Sequence, residues 1–492
     1  MYSGHDIEKQ QLTAPLTGSS PYQAAPLGAQ PKQPERPAQS SGFRDPIFLL
    51  LFVGTVVAMC GVAFTKGVDA VTDAASSSDT DGSTTISAGN KKAMGVIAIL
   101  CACSVVLSGM ILSFLMKNAE SLIRTSLYIN IFLTGLFAIV AFVNNQIWVA
   151  LVCVLFTAIN YCYMRAVQRR IPFASANLKV ACAAIRDHFS VVFVSYLAVL
   201  KGVFWSTVVI LVSFYAYKAN ELDDDDEAQY NDDGTEKTVS DNFGTAMFFI
   251  MLAMYWGQEV IKNISHVTTA GTVASWWYDP SRTNVVSGSY CRATTTSLGS
   301  IAFGSLIVAV IQMLKEMASS AERRGEGNIF TCIARCILQC IQNIVEYFNR
   351  WAFVYVGVYG DSFIASGKAV FALFKNRGWT ALINDNLIQR VLLFMALTVG
   401  CITGGIGALI PVITGDWLNE VNSDVATLQY TFAAVGFLIG LCLTMIMVSV
   451  IDSAVATVFV CLAEAPNVLE STHPAYFYDL TAAWRECHSI VF

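Results

Sequence analysis

The chain has 492 residues, of which 55% are hydrophobic and only 13% charged, with a formal net charge of −6 and a mean hydropathy of +0.54. Soluble globular chains are roughly a quarter charged, so this composition excludes a water-soluble multidomain protein and points to one that sits in a membrane. The acid excess is local: ten carboxylates fall between Glu221 and Asp241 against Lys218 and Lys237, and with no clustered basic surface carrying interleaved aromatics, a nucleic-acid partner is not expected.

In chain order, residues 1–44 come first and hold Pro15, Pro21, Pro26, Pro31, Pro34 and Pro37 with few large apolar side chains. They read as a disordered cytosolic tail, without the charged start and short apolar core of a secretory signal. Apolar runs long enough to cross a hydrocarbon core of about 30 Å follow near 46–64, 93–116, 126–143, 147–164, 190–216, 243–261, 298–314, 391–413 and 428–460. A tenth, near 329–359, is interrupted by Arg335 and Glu346 before the run Trp351 to Gly357. Lipid leaves backbone groups no partner but their own helix, so the expected fold class is all-α, a polytopic protein of about ten transmembrane helices. The expected division is a tail over 1–44, a transmembrane domain over 45–465 and a cytosolic C-terminal tail over 466–492.

Loop charge orients these spans, because short cytosolic loops are enriched in Lys and Arg. Arg165, Arg169, Arg170, Lys179 and Arg186 stand between spans four and five against Asp187 alone, whereas the run Asp223 to Glu227 lies in the next loop. Lys368, Lys375, Arg377 and Arg390 mark the 360–390 segment, and Asp416, Glu420 and Asp424 mark the turn at 414–425. Both chain ends are therefore expected in the cytosol. Two features run against the pattern: Lys315, Arg323 and Arg324 fall on the outer side, and the sequon Asn263-Ile264-Ser265 falls on the inner side, where it reads as a chance match. No internal repeat is visible.

Of the fourteen cysteines, Cys60, Cys101, Cys103, Cys153, Cys401, Cys442 and Cys461 lie inside apolar runs and read as small buried hydrophobes, so no disulfide framework is expected. Cys332, Cys336 and Cys340 recur every fourth residue and share one helix face. A small apolar face is favoured there over palmitoylation or a zinc site.

No G-x-S-x-G elbow, phosphate-cradling G-x-x-x-x-G-K-[ST] loop or H-E-x-x-H pair is present, and the five histidines (His5, His188, His266, His473, His488) are scattered. An enzyme, a cofactor and a metal are accordingly not expected. The stretch Met251 to Val260 is more informative, because it carries Glu259 inside a span, where an acid costs about 2.5–3.5 kcal/mol on insertion scales. Trp256 and Glu259 are three residues apart and share a face; with Tyr255 they form the first candidate substrate-binding group. The bland alternative is that Glu259 sits at the inner interface and pairs with Lys262. Trp276, Trp277 and Tyr278 are second-rank candidates, either an interfacial belt or an aromatic cage for a quaternary ammonium. Asp452, inside the last apolar run, is a candidate for ion or proton coupling, and Glu464 reads as a solvated helix end.

Several segments resemble the choline transporter-like family, particularly its fungal, plant and protist branch. They are Tyr255-Trp256-Gly257-Gln258-Glu259 leading to Thr269-Ala270-Gly271-Thr272-Val273; the run Gly299 to Ile307; Asn349-Arg350-Trp351-Ala352-Phe353 with Tyr359-Gly360; Ser366-Gly367-Lys368; and Asp452 with the run Phe459 to Glu464. The likeness is clearest over about residues 240–465. It implies ten spans, cytosolic ends, and sodium-independent passage of choline, in some members ethanolamine, through the plasma membrane or an organelle membrane. The first outer loop, about 66–92, is far shorter than in the animal members. The expected function is a facilitator of a small organic cation, choline or a related amine, at the plasma membrane first and an organelle membrane second, with membrane lipids as the other partner. A non-transporting scaffold or lipid-homeostasis regulator of the same fold is the alternative.

Overall fold

Among the described residues, all regular structure is helical. The computed structural model describes residues 42–77, 88–220, 242–321, 329–377, 380–414 and 425–487; residues 1–41 of the tail, the acidic segment 221–241, the turn at 415–424, and Arg323 and Arg324 lie outside them. Helix α1 (Pro46–Val62) opens on Pro46, which has no N–H to leave unpaired in a first turn. It runs through a π-helical turn (Ala63–Gly67) into α2 (Val68–Ser77).

The runs expected as separate spans at 93–116 and 126–143 are the two helical halves of α3 (Ala88–Val143), which meet at a kink where Asn118 leaves the helical region (φ −123°, ψ 16°). The polar stretch between them contains neither Pro nor Gly to end a helix. Just past the kink, Glu120 and Arg124 pair at 2.8 Å across one turn, an arrangement that supports helix rather than loop on that side of the break. Asn145, in the left-handed region at φ 58°, then turns the chain into α4 (Ile147–Val167).

Next come α5 (Ile171–Asp187), α6 (Ser190–Ala219), α7 (Asn242–Tyr278), α8 (Val285–Thr294), α9 (Leu298–Ala321) and α10 (Ile329–Tyr359). The chain continues through α11 (Phe363–Arg377), α12 (Thr380–Thr414), α13 (Val425–Glu464), α14 (Pro466–Thr472) and α15 (Pro474–Cys487). Seven helices among the described residues are long and apolar enough to cross a membrane, so the chain is a polytopic, all-helical membrane protein. Phe132, Phe137, Trp148, Leu151, Leu155, Leu200 and Ile210 are exposed on the bundle's outer faces, a surface suited to lipid tails rather than water.

Close helix approach depends on small residues, since lipid provides no hydrophobic drive for helices to associate. Where α7 crosses α10, a Cβ on Gly357 would lie 2.7 Å from the Ala270 Cβ and 2.8 Å from the Val267 carbonyl oxygen. Where α12 meets α13, a Cβ on Gly407 would lie 2.1 Å from the Phe432 carbonyl oxygen, and Thr403 Oγ1 donates across the pair to the Gly436 carbonyl at 2.9 Å. Helix α5 differs from the spans in being buried along nearly its whole length. It seats α15 through the edge of Trp484 on Phe173, ring centres 5.0 Å apart. The C-terminal segment is thus two helices folded onto the bundle, with Leu469 and Leu480 fully buried.

At the start of α1, the Arg44 backbone N–H donates to the Thr296 carbonyl at 3.0 Å. Asp45 Oδ2 accepts from Ser300 Oγ at 2.7 Å and from the Phe363 N–H at 2.9 Å. One carboxylate therefore joins the beginnings of α1, α9 and α11.

Candidate functional site

Helices α7 and α10 are 37 and 31 residues long but are absent from the seven most apolar spans, and the reason is a polar stripe on each. On α7 the stripe is Glu259, Lys262, Asn263 and His266; on α10 it includes Asn343, Glu346, Tyr347, Arg350 and Phe353. Spacings of three and four residues put each set on one helical face. The two faces meet Ser449, Asp452 and Ser453 of α13, Val308 of α9 and Gln389 of α12 around a cavity of about 380 Å³.

Three carboxylates, Glu259, Glu346 and Asp452, face this cavity against two cations, Lys262 and Arg350. With His266 neutral the wall carries one net negative charge. Tyr347 adds a half-buried aromatic ring, and a ring face attracts an organic cation by about 0.5–2 kcal/mol; Phe353, also on the wall, is 1% exposed and packs on Phe363.

The charged groups are not equally tied. Glu259 receives Lys262 Nζ at 2.8 Å on Oε2 and Gln312 Nε2 at 3.0 Å on Oε1. Arg350 Nη2 donates to Asp452 Oδ1 at 2.8 Å and to the Asp452 carbonyl at 3.0 Å, which fixes α10 to α13. Glu346 accepts from Gln342 Nε2 at 2.7 Å. His266 Nε2 donates to the Arg350 carbonyl at 2.9 Å, and Nδ1 lies in hydrogen-bond contact with Ser453 Oγ. One imidazole thereby joins α7, α10 and α13.

Of the residues singled out in the sequence, the fold brings Glu259 and Asp452 to this cavity. Trp256 points away from it: the indole is buried, Nε1 donates to the Ala302 carbonyl at 2.9 Å, and the ring meets Phe52 edge-on at 5.2 Å. Tyr255 is half-buried and is not among the lining residues. Trp276, Trp277 and Tyr278 are buried at the far end of α7, 17 residues or about 25 Å along the helix from Glu259. Their burial removes them from a lipid-facing belt. Trp276 Nε1 donates to Asp187 Oδ2 at 2.9 Å and its ring stacks on His473 at 3.8 Å, while Trp277 Nε1 donates to the Ala465 carbonyl at 3.2 Å. Burial holds the His473 imidazole below its usual pKa range, with Asp187 pulling the other way.

Glu464 is exposed yet accepts from Tyr355 Oη at 2.7 Å. The sequon residue Asn263 is buried, with Nδ2 donating to Ser305 Oγ at 2.9 Å. Lys315 is tied to Gln339 and Gln342 of α10 at 3.0 and 2.7 Å. Cys332, Cys336 and Cys340 are exposed beside the exposed Ile333, Ile337, Ile341 and Ile344, an outward apolar face of α10.

The residues that sequence reading passed over are His266, Arg350, Glu346 and Tyr347. A signal was present for three of them: Glu346, Tyr347 and Arg350 recur at helical spacing, on one face of a helix that ends in the apolar run Trp351 to Gly357. His266 gave none, because its importance lies in partners from two distant helices.

A family model described as plasma-membrane choline transporter matches residues 151–467, which includes every residue lining the cavity. The chain is 28% identical to Protein PNS1 of Mycosarcoma maydis over 94% of its own length and 89% of that protein. It is 29% identical to Protein PNS1 of Debaryomyces hansenii over 88% and 85% of the two chains, and 28% identical to a CTL-like protein of Dictyostelium discoideum over 73% and 61%. With the family's matched region covering well over half the sequence and all of the cavity, this chain belongs to the choline transporter-like family.

Proposed function

We propose that the chain is a membrane facilitator for a small organic cation, choline or a related amine such as ethanolamine, and that the substrate's cationic head is held at Glu259 in the α7–α10–α13 cavity. The observation that carries this reading is the charge of the wall: three carboxylates against two cations, with the Tyr347 ring beside them, inside a bundle whose outside is apolar. Charged groups within a span are costly and mark substrate or ion paths, and a net charge of minus one complements one onium group. Asp452 serves here as the partner that positions Arg350, with ion or proton coupling as its further candidate role. Tyr255 and Trp256 shape the α7 face behind the site. Trp276, Trp277 and Tyr278 belong to the seat of the C-terminal helices and not to the first contact with substrate.

The scaffold reading calls for Glu259 and Asp452 sealed in helix contacts. Both are tied to neighbouring side chains but also line a cavity, and that access favours transport. We assign no chemical step to the protein. We also propose ten crossings with both ends cytosolic, α3 crossing twice with its turn at Asn118 and α7 and α10 completing the count, and a place in the plasma membrane.

The test is uptake of radiolabelled choline by proteoliposomes containing the full chain, compared with empty vesicles and with Glu259→Gln. Saturable uptake that falls at least tenfold in the variant is the expected result. Folded wild-type protein that carries neither choline nor ethanolamine would sink the reading.

A further inference from the structure

The cavity has a neighbour. A second, largely apolar groove of about 690 Å³ runs between α6, α7 and α13, and the two spaces share Lys262 and Ser449 on their walls. Lys262 therefore stands at the seam, its side chain 58% exposed, while Glu259 is only 10% exposed. The carboxylate is also held independently by Gln312 at 3.0 Å. If the ammonium leaves, the carboxylate stays where it is.

The other cation of the wall is built differently. Arg350 is 13% exposed and bonds both the side chain and the carbonyl of Asp452. A lysine ammonium is a compact charge on a flexible four-carbon stem, whereas guanidinium is a planar fork. Of the two, only Lys262 has both a mobile stem and an adjoining space to move into. Ser206, Gln258 and Ser265 give that space a polar edge.

We infer that Lys262 is a tethered competitor of the substrate: its ammonium occupies Glu259 in the empty protein, and an incoming onium group displaces it towards the groove between α6, α7 and α13. This assignment rests on the transport reading above and adds the residue that sets its affinity. A buried carboxylate without a counter-charge is strongly unfavourable, so an empty carrier lacking Lys262 is poorly placed to reorient. Lys262 lowers affinity and in return lets the unloaded protein complete its cycle. Neither bond making nor proton transfer is involved, only exchange of one cation for another on Glu259.

Equilibrium binding of radiolabelled choline to the full chain in nanodiscs tests this in wild type, Lys262→Gln, Lys262→Arg and Glu259→Gln. Lys262→Gln is expected to bind about tenfold tighter, the loss of a competitor of about 1.4 kcal/mol. Lys262→Arg, which keeps a cation with a better fork for carboxylate, is expected to bind more weakly than wild type. In proteoliposomes Lys262→Gln should slow net uptake into choline-free vesicles at least fivefold while exchange into choline-loaded vesicles keeps at least half the wild-type rate. A merely structural ion pair predicts the reverse, equal or weaker binding in Lys262→Gln and parallel loss of both transport modes, and that result overturns the assignment. If Lys262→Gln does not fold, an unchanged affinity in Lys262→Arg overturns it just as well. Choline bound by wild type with an affinity indifferent to residue 262 sinks this inference alone, whereas no binding by any variant sinks the transport reading and this one with it.

Discussion

Helices α3 and α4 and helices α7 and α10 are all long and all packed in the same bundle, but they are made on different plans. The first pair shows apolar side chains outward at Phe132, Phe137, Leu151 and Leu155, and its two helices face each other at Gly135 and Thr157, where an added Cβ on the glycine would lie at an ordinary 3.9 Å. The second pair turns Glu259, Lys262, His266, Glu346 and Arg350 to a shared interior space. What separates them is where polarity goes, because a polar group in hydrocarbon must find a partner inside the protein. Low apolarity in a long helix of this chain is thus a pointer to the site.

That contrast makes Arg350 the place of largest effect. Arg350→Ala leaves Asp452 without its guanidinium partner, and breaking a pair this enclosed costs about 3–5 kcal/mol. We expect thermal unfolding in detergent to shift by that order, with choline uptake lost; Asp452→Asn added to the same chain should recover part of the stability and none of the uptake. A single change that costs well under 1 kcal/mol would show that the polar stripe is not a structural tie.

A smaller effect belongs to the helix crossings away from the cavity. Gly407→Val drives atoms into the Phe432 carbonyl, where even a Cβ would sit 2.1 Å away, and overpacking of this kind typically costs about 1–3 kcal/mol. The variant should unfold at lower temperature yet, once reconstituted and folded, keep a choline affinity within twofold of wild type. A large change in affinity would tie the α12–α13 crossing directly to the site.

Smallest of all is Leu151→Ala on the lipid-facing side of α4. Its side chain is 57% exposed, and changes at such positions usually stay within about 0.5 kcal/mol. Uptake and unfolding should both match wild type. Should this variant lose uptake, the outer face of α4 would be an interface and not a lipid contact.

Much of the fold was legible in the sequence because hydrocarbon imposes a strict length and a strict polarity on each span. The boundary at 117–125 was legible in place but not in form: the break is at Asn118, yet it is a kink and not a loop, because Glu120 and Arg124 pair across a helical turn just after it. Glu259 and Asp452 stood out as acids within apolar runs, and the fold sets both on one cavity wall. The aromatic group was harder to read. A Trp-Trp-Tyr cluster at a helix end has the same composition whether lipid or protein covers it, and here the cover is His473, Tyr476 and Ala465, about 190 residues further along the chain. Sequence spacing carries no trace of such a contact. Lys262 could be named only as a partner of Glu259, because the groove beside it exists only once α6, α7 and α13 are assembled.

Helix α7 runs unbroken from Asn242 to Tyr278, with Glu259 midway along it and the Trp276 ring at its end stacked on His473. Such a helix behaves as a shaft. A tilt of about 10° pivoting at Glu259 carries the Trp276 end through about 4 Å, given the rise of 1.5 Å per residue, more than the stack with His473 can absorb. The C-terminal helices would then either follow α7 or release it, so any tilt of this shaft would be passed to the two helices that end the described chain.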